Sequence, residues 1–276
     1  MKQQIRGIYY AYRWQHPYND QLPTVVALHG FTGSSETFIP MFGQAQNYNI
    51  LMVDLIGHGQ STVYAHPLRY EVPQLVADLA ALLTALAVPT YILYGYSMGA
   101  RVALAWTVLY PDAVAGLIME SGSPGLATTA ERTLRFKQDR RLAIKLMQEP
   151  LTAFVDYWQA LPLFASQKAL SDDQQKVVRQ GRLQQSSFGL AMSLAYGGTG
   201  KQPSYWDALA TIHCPILYLA GEKDKKFQEI GLKMKDKQPH ISYQLIPEAG
   251  HCIHLEQPVM LLQHINQWVS QIESTT

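Results

Sequence analysis

Short apolar runs bounded by turn residues alternate with stretches of helical period along most of the chain. Residues 24–29 (TVVALH), 50–54, 91–96 (YILYGY), 114–120, 215–220 and 241–246 are rich in Val, Ile, Leu and Tyr and predict strands. Between and after them, residues 72–88, 98–110, 225–235 and 256–272 repeat apolar side chains at helical spacing. Such alternation requires crossover connections, which build a mostly parallel sheet covered by helices on both faces. The runs TVVALH and YILYGY have no polar face, as a strand buried on both sides demands.

The alternation stops after residue 121 and resumes near residue 207. Helical patterns fill the interval and no strand pattern does, so the expected division is an α/β core of residues 1–121 and 207–276 with an all-helical cap at 122–206. Within the cap, Ser171 followed by Gln174 forms a capping-box pattern that should start a helix running through Arg182. Charge divides along the same boundary. The cap holds six Arg and five Lys against two Glu and four Asp, a net +5, whereas the remainder is −4. That bias either keeps a helical lid soluble or serves an anionic ligand.

Overall composition excludes the simpler alternatives. With 276 residues, 47% hydrophobic, 16% charged and a formal charge of +1, the chain is globular and large enough to enclose a pocket. Cys214 and Cys252 cannot make a disulfide framework and have no neighbouring ligand pattern for zinc, so a reducing compartment and no metal are expected. The N-terminus lacks the apolar core of a signal peptide, and the most apolar helical stretch, 75–88, is interrupted by Asp78 and too short to span a bilayer. A cytoplasmic protein with no membrane or nucleic-acid partner is the expectation, as a monomer or weak homo-oligomer.

Candidate chemistry begins at Gly95-Tyr96-Ser97-Met98-Gly99, which closes one apolar strand and opens the helix MGARVALAW. G-x-S-x-G alone is a weak pattern, but in a strand-to-helix setting it forms a nucleophile elbow, whose small residues permit a sharp turn that lifts the serine hydroxyl. A serine hydroxyl needs an imidazole to accept its proton, and the imidazole needs a carboxylate to fix its tautomer. Asp224 in GEKDKKF and His251 in EAGHCIHLEQP follow later strands in that order, in loops at the strands' C-terminal ends. His254 is the competing imidazole and reads as a residue fixing the turn; Asp54 is the competing acid but precedes the serine. His29 reads as a structural hydrogen-bonding residue and His58 as part of a turn. In LHGFTGS, the glycine after the strand lets the Phe31 amide point above Ser97 alongside the Met98 amide, giving an oxyanion hole.

The HG loop, GHGQS segment, elbow and late Asp and His resemble the α/β-hydrolase superfamily over the whole chain. A finer resemblance lies in LHGFTGS, GYSMGAR, ESGSPGL with ERTLRFKQDR, FVDYWQALPLFASQ and YGGTGKQPSYW, which together are similar to the 2-succinyl-6-hydroxy-2,4-cyclohexadiene-1-carboxylate synthases of menaquinone biosynthesis. Ala100 stands where many relatives have a second glycine, a departure that crowds the elbow slightly. The resemblance implies a lyase that needs no cofactor, removes a proton next to a ketone and eliminates pyruvate from an anionic tricarboxylate. It also implies that Arg101, Arg135 and Arg182 bind substrate and that Tyr96 and Trp158 line the pocket. Read from spacing alone, Arg135 would pair with Glu131 four residues earlier on a solvated helix face. Arg132, Arg140, Arg141 and Arg179 keep a surface reading, and Trp158 alone would read as packing. The triad by itself is equally compatible with a serine hydrolase, either a carboxylesterase or a carbon-carbon bond hydrolase, and a catalytically silent binding protein would need no triad.

Overall fold

In the computed structural model, which describes residues 1–45 and 47–273, the described strands form one eight-stranded sheet. They are β1 (Lys2–Ile5), β2 (Ile8–Trp14), β3 (Thr24–Leu28), β4 (Asn49–Val53), β5 (Tyr91–Tyr96), β6 (Val114–Glu120), β7 (Ile216–Gly221) and β8 (Ile241–Ile246). Their order in space is β1-β2-β4-β3-β5-β6-β7-β8; β2 pairs antiparallel with β1 and β4, and every other pairing is parallel. The expected α/β-hydrolase architecture is therefore present. Strand order reverses between β3 and β5, so the loops leaving these two strands diverge and open a crevice at their C-terminal ends.

Helices α1 (Ile39–Phe42), α2 (Val72–Ala85) and α3 (Met98–Leu109) lie between strands of the first half, and α8 (Lys225–Lys237), α9 (Ile253–Glu256) and α10 (Pro258–Glu273) in the second. Both faces of the sheet are covered, because side chains alternate along each strand. In β5, Tyr91 and Leu93 enter the core shared with α2, α3 and α8, while Ile92, Tyr94 and Tyr96 enter the core shared with α1 and α10.

Between β6 and β7 run α4 (Thr129–Gln148), α5 (Leu151–Gln159), α6 (Asp172–Leu183) and α7 (Ser187–Gly197), with no strand. Capping boxes start two of them, Thr128 with Glu131 for α4 and Ser171 with Gln174 for α6. Ala143, Leu146, Phe154, Leu190, Ala191 and Leu194 give this helical layer a small core of its own.

Two elements differ from the sequence expectation. The hairpin β1–β2 was not among the expected strands, because three consecutive buried residues, Tyr10, Ala11 and Tyr12, blur the alternation in β2. Its connection is legible afterwards: Arg6 and Gly7 take φ of 48° and 84°, the paired positive values of a two-residue hairpin turn. The helix expected over 256–272 is present as α10, but it starts at Pro258 and a separate short helix, α9, precedes it. Pro258 lacks an amide hydrogen and pushes Gln257 out of helical geometry, to φ −137° and ψ 54°.

Candidate active site

Ser97 sits between the end of β5 and the start of α3 with φ 51° and ψ −103°, a conformation that side chains rarely adopt. The surroundings force it. A Cβ at Gly95 would lie 2.5 Å from the Ala100 amide nitrogen, and one at Gly99 would collide with the Leu28 carbonyl. The Ser97 amide donates to the Glu120 carbonyl at 2.9 Å, and the Ser97 carbonyl accepts from Arg101 at 3.2 Å, so the strained residue is held from both sides. Its Oγ lies 3.0 Å from His251 Nε2, and His251 Nδ1 lies 2.7 Å from Asp224 Oδ2. The three residues expected from chain order thus form one continuous hydrogen-bonded chain. Imidazole and carboxylate are buried, which removes competing water from the pair.

Each partner is fixed by neighbours that local sequence does not announce. Asp224 caps α8, its Oδ1 accepting from the Phe227 amide at 3.3 Å, which leaves Oδ2 for His251. The loop carrying His251 is tied by Glu256, whose carboxylate accepts from the Gly250 amide at 2.6 Å and from Ser166 of the cap at 2.9 Å. Fully buried Glu120 accepts from the His254 amide at 3.1 Å, faces His254 Nδ1 at 2.8 Å and accepts from the Tyr94 hydroxyl. His254 therefore fixes the turn that presents His251. Asp54, the other candidate acid, accepts from the Ser35 and Gln60 amides at 2.6 and 2.8 Å and anchors two loops.

His29 bridges the Gly30 carbonyl at 2.8 Å and the Leu55 amide at 3.0 Å, a structural role. Burial and the neighbouring His29 push the His58 imidazole down to about 3. Because its unfolded value is near 6.5, the unfolded chain binds a proton that the folded chain refuses between those values, and stability must fall as pH falls below about 6.5. The expected contribution is about 1.4 kcal/mol per pH unit in that window. Urea titrations between pH 7 and 5 will show a flatter pH dependence for His58→Asn than for the unaltered chain.

A cavity of about 820 Å³ opens beside Ser97 and His251, in the size range of small-molecule sites. Phe31, Met98, Tyr96, Arg101, Arg135 and Trp158 line it, so core and helical layer both contribute. Arg101 is buried; its Nη1 donates to Gln202 Oε1, and burial with Arg135 nearby lowers its guanidinium to about 10, still charged at neutral pH. Arg135 Nε donates to Asp139 Oδ1 at 2.7 Å. The spacing is i to i+4, but Glu131, the partner suggested by sequence, is instead held by Thr128 in the capping box.

Arg182 is placed differently from Arg101 and Arg135. It lines an adjoining cavity of about 330 Å³, which shares Phe31, Tyr96 and Phe164 with the larger one. Its Nη2 donates to Gln167 Oε1 at 3.2 Å, and its guanidinium lies 5.1 Å from the centre of the Phe164 ring. Two of the three arginines are therefore held by neutral amides, Gln202 and Gln167. Neutral acceptors satisfy the donors without cancelling the charge, which leaves a buried cation that favours an anion. Neither amide was a sequence candidate, since each is distant in the chain from the arginine it holds.

Tyr96 places its hydroxyl 2.7 Å from Cys252 Sγ, and burial pushes the thiol up to about 12. Cys252 is thus a neutral packing group. Trp158 both packs and lines the cavity: its ring stacks on Phe154 at 5.8 Å and meets Phe31 edge-on at 5.1 Å, while its buried indole nitrogen has no hydrogen-bond partner among the described residues.

Residues 23–258 match the family model described as alpha/beta hydrolase fold. The chain belongs to the α/β-hydrolase fold family. Among curated members, a putative 2-succinyl-6-hydroxy-2,4-cyclohexadiene-1-carboxylate synthase of Bacillus subtilis (strain 168) is 36% identical over 266 residues, covering 96% of both chains. The synthase of Photorhabdus laumondii is 31% identical over 92% of this chain and 87% of its own length. MenH from S. aureus superposes with a TM-score of 0.88 at 33% identity, over 95% of this chain and 98% of that one. Within the α/β-hydrolase fold this chain falls in the synthase branch, and it is an enzyme. No helix among the described residues is long and apolar enough to cross a membrane.

Proposed function

We propose that this enzyme, acting in the cytoplasm, eliminates pyruvate from 2-succinyl-5-enolpyruvyl-6-hydroxy-3-cyclohexene-1-carboxylate, with Ser97, His251 and Asp224 as its base. The observation that carries this reading is the pairing of an aligned Ser97–His251–Asp224 chain with guanidiniums held by neutral amides beside it. Such a site favours a multiply charged anion, and three carboxylates on the substrate meet that demand. His251 Nε2 accepts the Ser97 proton, and Ser97 Oγ takes the hydrogen from ring carbon C2, next to the succinyl ketone. The C2 electrons become the C2=C3 bond, the C3=C4 pair moves to C4=C5, and the C5–O bond breaks to release enolpyruvate, which is protonated to pyruvate. No water is consumed. Negative charge that develops on the ketone oxygen goes to the amides of Phe31 and Met98.

The same serine could attack a carbonyl, and orientation decides between the two outcomes: Arg101 and Arg135 must hold the substrate so that C–H meets Ser97 Oγ. Incubation with the cyclohexene substrate should release pyruvate stoichiometrically with the diene product. Rapid turnover of short nitrophenyl esters with no pyruvate from the cyclohexene would assign a serine hydrolase instead.

A further inference from the structure

The cavity beside Ser97 has another cationic wall residue that no motif singled out. Lys226 lies in the first turn of α8, two residues after Asp224, and lines the same cavity as Arg101, Arg135 and His251. Its ammonium is 5.4 Å from the centre of the Phe227 ring, and that ring lies 4.6 Å from the imidazole of His251. The Phe227 ring thus neighbours both the ammonium and the imidazole.

Three features describe the electrostatic setting of this lysine. A helix N-terminus carries partial positive charge and disfavours cations, yet the first turn of α8 has Lys225 and Lys226 and no acidic residue. Among the described residues no carboxylate forms an ion pair with Lys226, as is true of six other lysines, so its charge stays available at the cavity wall. Partial desolvation, and after it Arg135 of the helical layer, which lines the same cavity, lower the Lys226 ammonium below the usual lysine range, with Asp224 opposing. A local arrangement that costs stability and faces a cavity marks a binding function.

We propose that Lys226 is a further core-side cation of the substrate site, in addition to Arg101, taking one substrate carboxylate jointly with Arg135 of the helical layer. This rests on the function proposed above for the site and adds a specificity residue to it. A carboxylate between the two groups replaces their mutual repulsion with two attractions, so core and cap draw together only around an anion. A neutral ester in the same cavity would gain nothing from Lys226.

Lys226→Gln and Lys226→Arg in the full chain test the assignment through two independent readouts. Calorimetric titration with citrate, a tricarboxylate probe, should show binding weakened about five- to tenfold in Lys226→Gln and largely recovered in Lys226→Arg. For pyruvate release, Lys226→Gln should raise KM by a similar factor and leave kcat within about threefold, the signature of lost ground-state binding. Citrate binding equal in Lys226→Gln and the unaltered chain, or absent from both, would overturn the assignment. Pyruvate release by the unaltered chain reports on the proposed reaction separately, so the two ideas fail by different measurements.

Discussion

Alanine at Ser97 will lower kcat for pyruvate release on the order of 10³-fold while leaving KM within about threefold. In the proposed mechanism the hydroxyl oxygen meets the substrate carbon, and without it His251 Nε2 stands one hydroxyl short of the proton it would take, beyond the 3.0 Å contact that now links them. Binding should survive, because the charged contacts come from Arg101, Arg135 and their neighbours on the cavity wall. The proposed mechanism makes Ser97 and His251 one unit, so a Ser97→Ala/His251→Ala double variant should be scarcely slower than either single variant. Rates of the two single variants that multiply in the double would show that the residues work independently. Alanine also relieves nothing at the elbow, since the positive φ is imposed by Gly95, Gly99 and the Leu28 carbonyl and remains strained with any Cβ.

Replacing Arg135 with Ala should reduce kcat/KM by about tenfold to 100-fold, the loss expected of a charge-assisted contact to a substrate carboxylate. The effect has a second component. Arg135 is the ion-pair partner of Asp139, a buried carboxylate that also accepts from the Gly200 amide at 3.1 Å. Removing the guanidinium therefore strips buried Asp139 of its ion-pair partner, with Arg101 left to offset part of that charge, as well as deleting a positive charge from the cavity wall. Arg135→Ala/Asp139→Asn separates the components: it restores local neutrality, so it should recover part of the affinity but never that of the unaltered chain. Unchanged steady-state kinetics in Arg135→Ala would return this residue to a role confined to helix pairing.

The elbow and its partners were legible because their constraints are local. Gly95 and Gly99 flank the serine within two residues, and Asp224 and His251 each follow directly on a strand that the apolar pattern already marks. The frame around them was not legible. Glu120 reaches His254 across 134 positions, and Gln202 reaches Arg101 across 101, so nothing in either neighbourhood suggests the contact. At Arg135 the i, i+4 rule was right in kind and wrong in direction, because Glu131 was already used to cap α4 and Asp139 lay one turn further on. Arg182 shows a different limit. Its helix and starting cap were readable, but its position behind the rings of Phe31, Tyr96 and Phe164 depends on how the helical layer packs on the core. Lys226 was passed over for a similar reason, as a lysine in a lysine-rich helix looks like surface until the cavity it lines is seen.

Proton removal from ring carbon C2 is the step on which the account depends, and single-turnover release of pyruvate from substrate deuterated at C2 measures it directly. The account predicts slower release from the deuterated substrate than from the protonated one, with the mass of the enzyme unchanged throughout. Equal rates from the two substrates, with a transient adduct on Ser97, would contradict it.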